Sequence, residues 1–268
     1  MNAMKRESEY RAAGIQFPLK IVTAWLFLVG RVICMILFSP MASSAFSVPE
    51  KLIFDLTWTG VKAGTAVLEV MDDKETVRVI STANSATWVS VFYPVDDRVE
   101  AVLSKGKSLI FIGQPKSFRL KIREGRHRRD KEIVFDHVKH TALFIDHLNK
   151  DKERKEYSVK ADVFDPLSVL YYVRTKKLEV GRPVYVDIFD SKKVWTVEVQ
   201  VLRKEKMKTE LGEFNTVVIK PLMKSEGIFN RKGDILIWLT DDHKRTPVKM
   251  QTKVAVGAIT ATLVGGTY

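Results

Sequence analysis

Phe118-Arg119-Leu120-Lys121-Ile122-Arg123-Glu124-Gly125-Arg126-His127-Arg128-Arg129-Asp130-Lys131-Glu132-Ile133 is the stretch that decides the fold class of this chain. Apolar and charged residues alternate from Phe118 to Arg123, the period-two pattern of a strand with one buried face, and a charged run follows the turn at Gly125-Arg126. With the turn at Gly125-Arg126, Phe118 faces Ile133, Arg119 faces Glu132 and Lys121 faces Asp130. Apolar then opposes apolar and charge opposes charge, whereas a one-residue slip would invert every pair. The stretch therefore predicts an antiparallel hairpin of defined register.

The same alternation extends outward. Leu52, Phe54, Leu56 and Trp58 share one face, and Lys51, Asp55, Thr57 and Thr59 the other. Gly60 and Gly64 bracket a turn, Ala66, Leu68 and Val70 continue the pattern, and Val77 and Val79 resume it after Asp72-Asp73-Lys74. Further runs fall at 116–123, 128–135, 140–146, 183–189, 194–203, 215–222, 233–240, 247–256 and 258–264. Strands this numerous, joined by short turns, predict an all-β fold: an antiparallel sandwich, half-barrel or barrel with one or two short helices. A helix is expected at 166–175, where Asp165 precedes Pro166 and Leu167, Leu170, Tyr171 and Arg174 recur at helical spacing. Residues 85–92 read equally as helix or strand, ended by Tyr93-Pro94. The mixed-charge stretch 147–156 reads as an exposed loop within a single β-rich domain, 46–268.

The first 45 residues read as an address. Lys5, Arg6, Arg11 and Lys20 precede an apolar run from Ile21 to Phe38, interrupted at Gly30 and Arg31, and Ala42-Ser43-Ser44-Ala45 follows. A positive flank, an apolar core and small residues before a cut form the secretory signal layout, with cleavage expected after Ala45 and the mature chain periplasmic. The second reading is an inner-membrane anchor; Arg31 at mid-depth would cost it about 2.5–3.5 kcal/mol. Cys34 is the only cysteine. Cleavage at Ala45 removes it, and with it any disulfide, thiol nucleophile or thiolate ligand.

The 268 residues carry a formal charge of +12, from 44 Lys and Arg against 32 Asp and Glu. Without residues 1–45 the balance is 39 against 30, or +9. For an exported chain, the expected counterpart is an anionic envelope surface rather than nucleic acid. The basic run also lacks the interleaved aromatics on which bases stack.

Six phrases in order point to a family. They are Phe54-Asp55-Leu56-Thr57-Trp58 with Gly60 and Ala63-Gly64; Asp165 through Arg174; Gly212-Glu213-Phe214-Asn215-Thr216 leading to Pro221; Gly233 through Asp242; Arg245-Thr246-Pro247-Val248; and Gly257-Ala258-Ile259-Thr260-Ala261. Together, over roughly 50–268, they resemble the bacterial envelope family catalogued as domain of unknown function 3108. That resemblance implies export and a β-rich fold, and supplies no catalytic residues. A more distant likeness to periplasmic lipoprotein and lipid carriers with open half-barrels is analogy at the level of fold.

No nucleophile elbow, phosphate-cradling loop, dinucleotide fingerprint or zinc-protease motif is present, so no catalytic residue and no cofactor is expected. Asp72-Asp73, Asp96-Asp97 and Asp241-Asp242 each read as turn acceptors rather than acid–base pairs. His127, His137, His140 and His147 read as exposed turn histidines, not metal ligands. Ser168 reads as a helix-start hydroxyl rather than a nucleophile.

The hairpin tip carries the candidate ligand-binding residues: Arg123, Arg126, Arg128, Arg129 and Lys131. Arginine forks suit phosphate and carboxylate oxygens, and Arg129 and Lys131 continue the face that Ile133 and Phe135 bury. The leading expectation is a non-enzymatic envelope protein binding an anionic lipid or envelope glycolipid in a concave apolar sheet with a basic rim. The alternatives are a scaffold that docks an envelope protein through this hairpin, and a hydrolase or transferase on envelope polymers.

Overall fold

The computed structural model describes residues 48–106, 112–148, 153–190, 192–222, 235–254 and 256–268. The expected signal or anchor, with Cys34 and the cut at Ala45, lies outside the described residues, as do Gly233 and Asp234. All described residues belong to one compact unit, Ser43–Tyr268.

Among the described residues, fifteen strands form one sheet. From the N-terminus they are β1 (Glu50–Trp58), β2 (Val61–Asp73), β3 (Thr76–Ser85), β4 (Asp96–Lys105), β5 (Ile112–Glu124), β6 (His127–Asp136), β7 (Thr141–Asp146) and β8 (Arg154–Ser158). There follow β9 (Val163–Phe164), β10 (Val184–Asp190), β11 (Lys193–Thr209), β12 (Gly212–Leu222), β13 (Ile235–Thr240), β14 (Pro247–Lys253) and β15 (Ala258–Thr267). Two short helices interrupt them, α1 (Thr87–Ser90) and α2 (Ser168–Arg174). The fold is all-β, as the alternation predicts, and no helix among the described residues is long and apolar enough to cross a membrane.

The strand order β8-β7-β6-β5-β4-β3-β2-β1-β15-β14-β13-β12-β11-β10-β9 places the first and last strands side by side at the centre. The chain runs outward to β8, crosses to the far edge and returns by hairpins to β15. All pairings are antiparallel except β9 with β10. The crossing from Ser158 to Val163 leaves only residues 159–162 between the edges, a reach of about 18 Å at full extension. Fifteen strands laid flat would separate the edges by about 67 Å. The sheet must therefore roll. The Gln114 side chain donates to the Ala161 carbonyl at 2.9 Å and Lys160 reaches Asp187 at 2.6 Å, fixing the crossing against β5 and β10.

Rolling encloses a core lined by Leu52 and Phe54 of β1, Leu263 of β15, Phe118 of β5, Phe135 of β6 and Phe189 of β10. Across it, Phe135 meets Phe189 edge-on with ring centroids 6.3 Å apart, and Tyr157 of β8 lies 5.7 Å from the same ring. A second core lies where Val173 and Leu178 pack on Val186, Val197, Val217 and Ile219, so β10–β12 are covered on both faces.

Several expectations are corrected. The stretch 147–156 is not wholly a loop, since β8 begins at Arg154; charged side chains suit an edge strand, which buries neither face fully. Asp96-Asp97 opens β4 rather than a turn, and β4 lies outside the runs identified from the sequence. The ambiguous stretch divides, with Ser85 ending β3 and α1 following. The expected helix is confined to Ser168–Arg174. Its start is held by Asp165, whose Oδ1 accepts from the Leu167 and Ser168 amides at 2.8 and 2.9 Å, while the Ser168 hydroxyl donates to Oδ2 at 2.5 Å.

Arg174, on the apolar stripe of α2, meets Glu50 at the start of β1. Both are almost fully buried, at 1% and 2% exposure. The guanidinium donates to both carboxylate oxygens, at 2.7 and 2.6 Å, and also to the Lys244 carbonyl at 3.2 and 3.1 Å. It lies 4.9 Å from the centre of the Tyr171 ring. Burial, with the adjacent Glu50 carboxylate, pushes the Tyr171 phenol well above its ordinary pKa. One cluster thus joins β1, α2 and the β13–β14 turn.

Removing one member of a buried ion pair strands the other. Glu50→Gln or Arg174→Met is expected to lower stability by about 3–5 kcal/mol, and the double replacement by less than the sum. Urea denaturation of the two single variants and the double variant measures this.

Candidate functional site

The expected register is the observed one: Phe118 pairs with Ile133, Arg119 with Glu132 and Lys121 with Asp130, through to Glu124 with His127. Gly125 adopts φ +55° at the turn, and its amide donates to the Pro94 carbonyl at 2.8 Å. A Cβ there would lie 2.8 Å from the Tyr93 ring, so the tip seats against the segment following α1.

Strand alternation divides the candidate residues between two faces. Arg123 and Arg128 are direct cross-strand partners on the outer face, a like-charge pairing that needs outside compensation. Arg123 receives it from Asp96 at 3.5 Å, and its amide donates to Asp97 at 2.9 Å. Arg128 donates to the carbonyls of Gly125 and His127 at 2.7 and 2.8 Å, which hold the guanidinium over the turn without neutralising it. Arg126 occupies the turn and forms no ion pair among the described residues. On the same outer face, Arg119 grips Asp130 through two bonds of 3.1 and 3.2 Å.

Arg129 and Lys131 point the other way, opposite Ile122 and Leu120 on the face that lines the core. The Arg129 Nε is buried without a hydrogen-bond partner among the described residues. Lys131 lies 5.6 Å from the centre of the Phe144 ring, and Lys192, from the β10–β11 turn, lies 5.1 Å from the same ring. Lys192 is also bonded to Glu153 at 2.5 Å. Two ammonium groups, one from each half of the rolled sheet, thus converge on one aromatic ring, and Arg129 stands two residues from Lys131 toward the hairpin tip. The five sequence candidates do not form one cluster: Arg129 and Lys131 stand at the inner mouth, Arg123 and Arg128 outside it.

The apolar stripe of β1 runs toward the same end. Leu52 and Phe54 are wholly buried, Leu56 is half-buried, and Trp58 is 39% exposed beside its cross-strand partner Ile259. Apolar residues therefore continue along β1 from the core to the end of the sheet where the β5–β6 turn lies. Lys192 and Trp58 were missed by sequence reasoning. Trp58 had a signal, because it ends an inward stripe just before Thr59-Gly60; Lys192, in a turn, had none.

The remaining polar candidates have local roles. His137 is 2.6 Å from the Pro115 carbonyl and stacks on Phe135, and His147 is 2.8 Å from Glu132. No three His, Cys, Asp or Glu residues gather as a metal site among the described residues. Asp242 accepts from Thr240, Lys244 and Arg245, and Asp241 pairs with Lys204 and Arg245. Asp72 pairs with Lys105 and Asp73 with Arg78, both exposed.

Residues 53–264, from β1 into β15, match one family model. The chain belongs to DUF3108, described as a protein of unknown function. No curated protein matches the sequence. Among solved structures, a beta-barrel-like protein of domain of unknown function DUF1849 from Brucella abortus superposes with a TM-score of 0.55 at 13% identity. That match covers 83% of this DUF3108 chain and 98% of the other, and it shows a shared fold. A structure described as a "putative lipoprotein" from Parabacteroides distasonis covers 84% of this chain and 99% of its own, at TM-score 0.38 and 12% identity. A "putative exported protein with YmcC-like fold" from Bacteroides fragilis covers the same shares at TM-score 0.34 and 9% identity. These two superpose too loosely to carry an argument.

At the mouth, burial raises the Asp97 carboxyl above its ordinary value of 3.8. The Arg123 amide opposes that rise, as does Arg129, while Glu124 and Asp96 add to it. The folded state then holds this proton more tightly than the unfolded chain does. Stability attributable to Asp97 therefore falls as pH rises from about 3.8 through the folded value. Asp97→Asn retains an acceptor for the Arg123 amide and should flatten that part of the profile, read from urea midpoints across the acid range.

Proposed function

We propose that this DUF3108 protein is an exported, non-enzymatic β-protein of the bacterial envelope that receives an anionic amphiphile, a lipid or envelope glycolipid, at the mouth of its rolled sheet. The observation that carries the proposal is the inner face of β6. Arg129 and Lys131 stand at its open end and Ile133 and Phe135 follow into the core, so cationic and apolar groups succeed one another on a single face. A phosphate or carboxylate headgroup satisfies the unpartnered Arg129 Nε and the paired ammonium groups of Lys131 and Lys192. An acyl chain finds the apolar stripe ending at Trp58 and Ile259. Because Phe135, Tyr157 and Phe189 meet across the interior, the chain lies along the mouth rather than running the length of the sheet.

Export rests on the signal layout of residues 1–45. A hydrolytic role would need converging carboxylates. Of the three acidic pairs, Asp72, Asp73, Asp96 and Asp242 are exposed, while the half-buried Asp241 is tied to Lys204 and Arg245 and Asp97 to the Arg123 amide, which makes the hydrolytic reading the weaker one. Docking of an envelope protein through the hairpin is a weaker reading, because Arg119 and Arg123 of its outer face are already matched by Asp130 and Asp96.

Native mass spectrometry of the protein purified without detergent should reveal bound phospholipid or glycolipid. Arg129→Ser with Lys131→Ser should reduce the lipid-bound fraction roughly tenfold, while Arg123→Ser with Arg128→Ser leaves it nearly unchanged. A wild-type protein that is consistently empty overturns the reading.

A further inference from the structure

The antiparallel topology brings three separate connections to the end of the sheet where the β5–β6 turn lies. These are the β1–β2 turn, the segment containing α1, and the β14–β15 turn. They hold one another directly. The Trp58 indole N–H donates to the Val256 carbonyl at 2.9 Å, and the Thr59 amide to the Ala258 carbonyl at 2.9 Å. The Trp88 indole N–H donates to the Lys62 carbonyl at 2.9 Å, and the Ala86 amide to the Ala63 carbonyl at 2.7 Å. Trp88 and Phe92 rings pack 5.8 Å apart, and Tyr93 covers Gly125 of the basic turn.

This end exposes large apolar side chains. Val91 is 84% exposed, Val256 70%, Phe92 61% and Trp88 45%, with Trp58 beside them. Single exposed apolar residues need no explanation, but several on adjoining loops at one end do. Neither core requires them: Val91 and Phe92 follow α1 and belong to neither cluster of buried residues.

Cations accompany them. Arg126, Arg128 and Lys253 form no ion pair with a carboxylate among the described residues, although Lys62 is matched by Asp55 at 2.8 Å and Arg123 by Asp96. The surface is therefore aromatic and apolar at its tips, with uncompensated positive charge around them. That combination complements an interface which is apolar below and negatively charged at its surface. The indole hydrogen bonds strengthen the match. Each Trp N–H is already satisfied by a backbone carbonyl, so moving the ring out of water strands no donor. The apolar side chains sit on three adjoining connections, projections that a fluid interface accommodates more readily than a folded partner does.

We infer that this end of the sheet is a membrane-docking surface: Trp58, Trp88, Val91, Phe92 and Val256 enter the headgroup region of an anionic bilayer, while Arg126, Arg128 and Lys253 meet its phosphates. The inference adds a second contact to the reading above and does not depend on the mouth holding a lipid.

The test uses the full chain in a Trp25→Phe background, so that no tryptophan of the N-terminal segment reports. Vesicles of phosphatidylcholine carrying brominated acyl chains are compared with the same vesicles containing phosphatidylglycerol. Quenching should appear with the anionic vesicles and fall on replacing Trp58 and Trp88 by Phe, Trp195 being held as Phe throughout because it stands two residues into β11 at this same end, while Trp238 is buried in the core. Trp88→Ser with Phe92→Ser should remove the remaining quenching of Trp58. Arg126→Ser, Arg128→Ser and Lys253→Ser together should weaken the response roughly tenfold or more. Far-UV circular dichroism identifies any variant that has not folded, and Val91→Ser supplies a milder one. Absence of quenching with anionic vesicles, quenching insensitive to the aromatic replacements, or capture of a soluble protein without vesicle contact overturns the inference. Arg129→Ser with Lys131→Ser separates the two ideas. It should empty the mouth yet leave quenching intact, so either can fail alone.

Discussion

Residues 159–162 join two strands that stand at opposite edges of a fifteen-stranded sheet. That short connection is the constraint from which the architecture follows. A tether of about 18 Å cannot span a flat sheet of this width, so the inner faces must turn toward one another and bury their apolar residues together. Phe135, Tyr157 and Phe189 meet because the tether allows little else. The hydrogen bond from Gln114 to the tether and the ion pair from Lys160 to Asp187 hold the rolled form once reached.

The ends of the rolled sheet then take different characters. At one end, Glu50 and Arg174 lock β1 to α2 and to the Lys244 carbonyl in a buried cluster. Such a pair adds little net stability over an apolar substitute, but it penalises any arrangement that separates its members. At the other end, apolar side chains reach solvent and arginines project from hairpin tips. Strand β1 spans both, from buried Glu50 to exposed Trp58. The contrast fits a protein anchored internally at one end and available for contact at the other.

Much of this was legible in the sequence, for identifiable reasons. The register of β5 and β6 was readable because apolar matching and charge complementarity agreed at Phe118–Ile133, Arg119–Glu132 and Lys121–Asp130, although Arg123–Arg128 runs against them. Strand β4 escaped because Asp96-Asp97 resembles a turn and because small Ala101 weakens the alternation between Val99 and Leu103. Strand β8 escaped because its edge position permits Arg154, Lys155 and Glu156, which read as loop. The Glu50–Arg174 pair spans 124 residues and has no local signature. Its one trace was an arginine on the same helical stripe as Leu170 and Tyr171. For the mouth, proximity in sequence grouped five basic residues, while the period of the strands had already placed Arg123 and Arg128 opposite Arg129 and Lys131. The exposed aromatics were unreadable as a group, because only the fold brings Trp58, Trp88 and Val256 to one end.

The rolled sheet is not closed by hydrogen bonds between β8 and β9, so it retains edges, and unpaired edges invite addition of a foreign strand. Here β9 is only two residues long, and β8 presents Arg154, Lys155 and Glu156 as three successive exposed charges. A second chain adding to β8 would have to pack against those charges along its length. The residues that made β8 look like a loop are thus its protection against fibrous self-association, and they allow a sheet with free edges to persist at high local concentration.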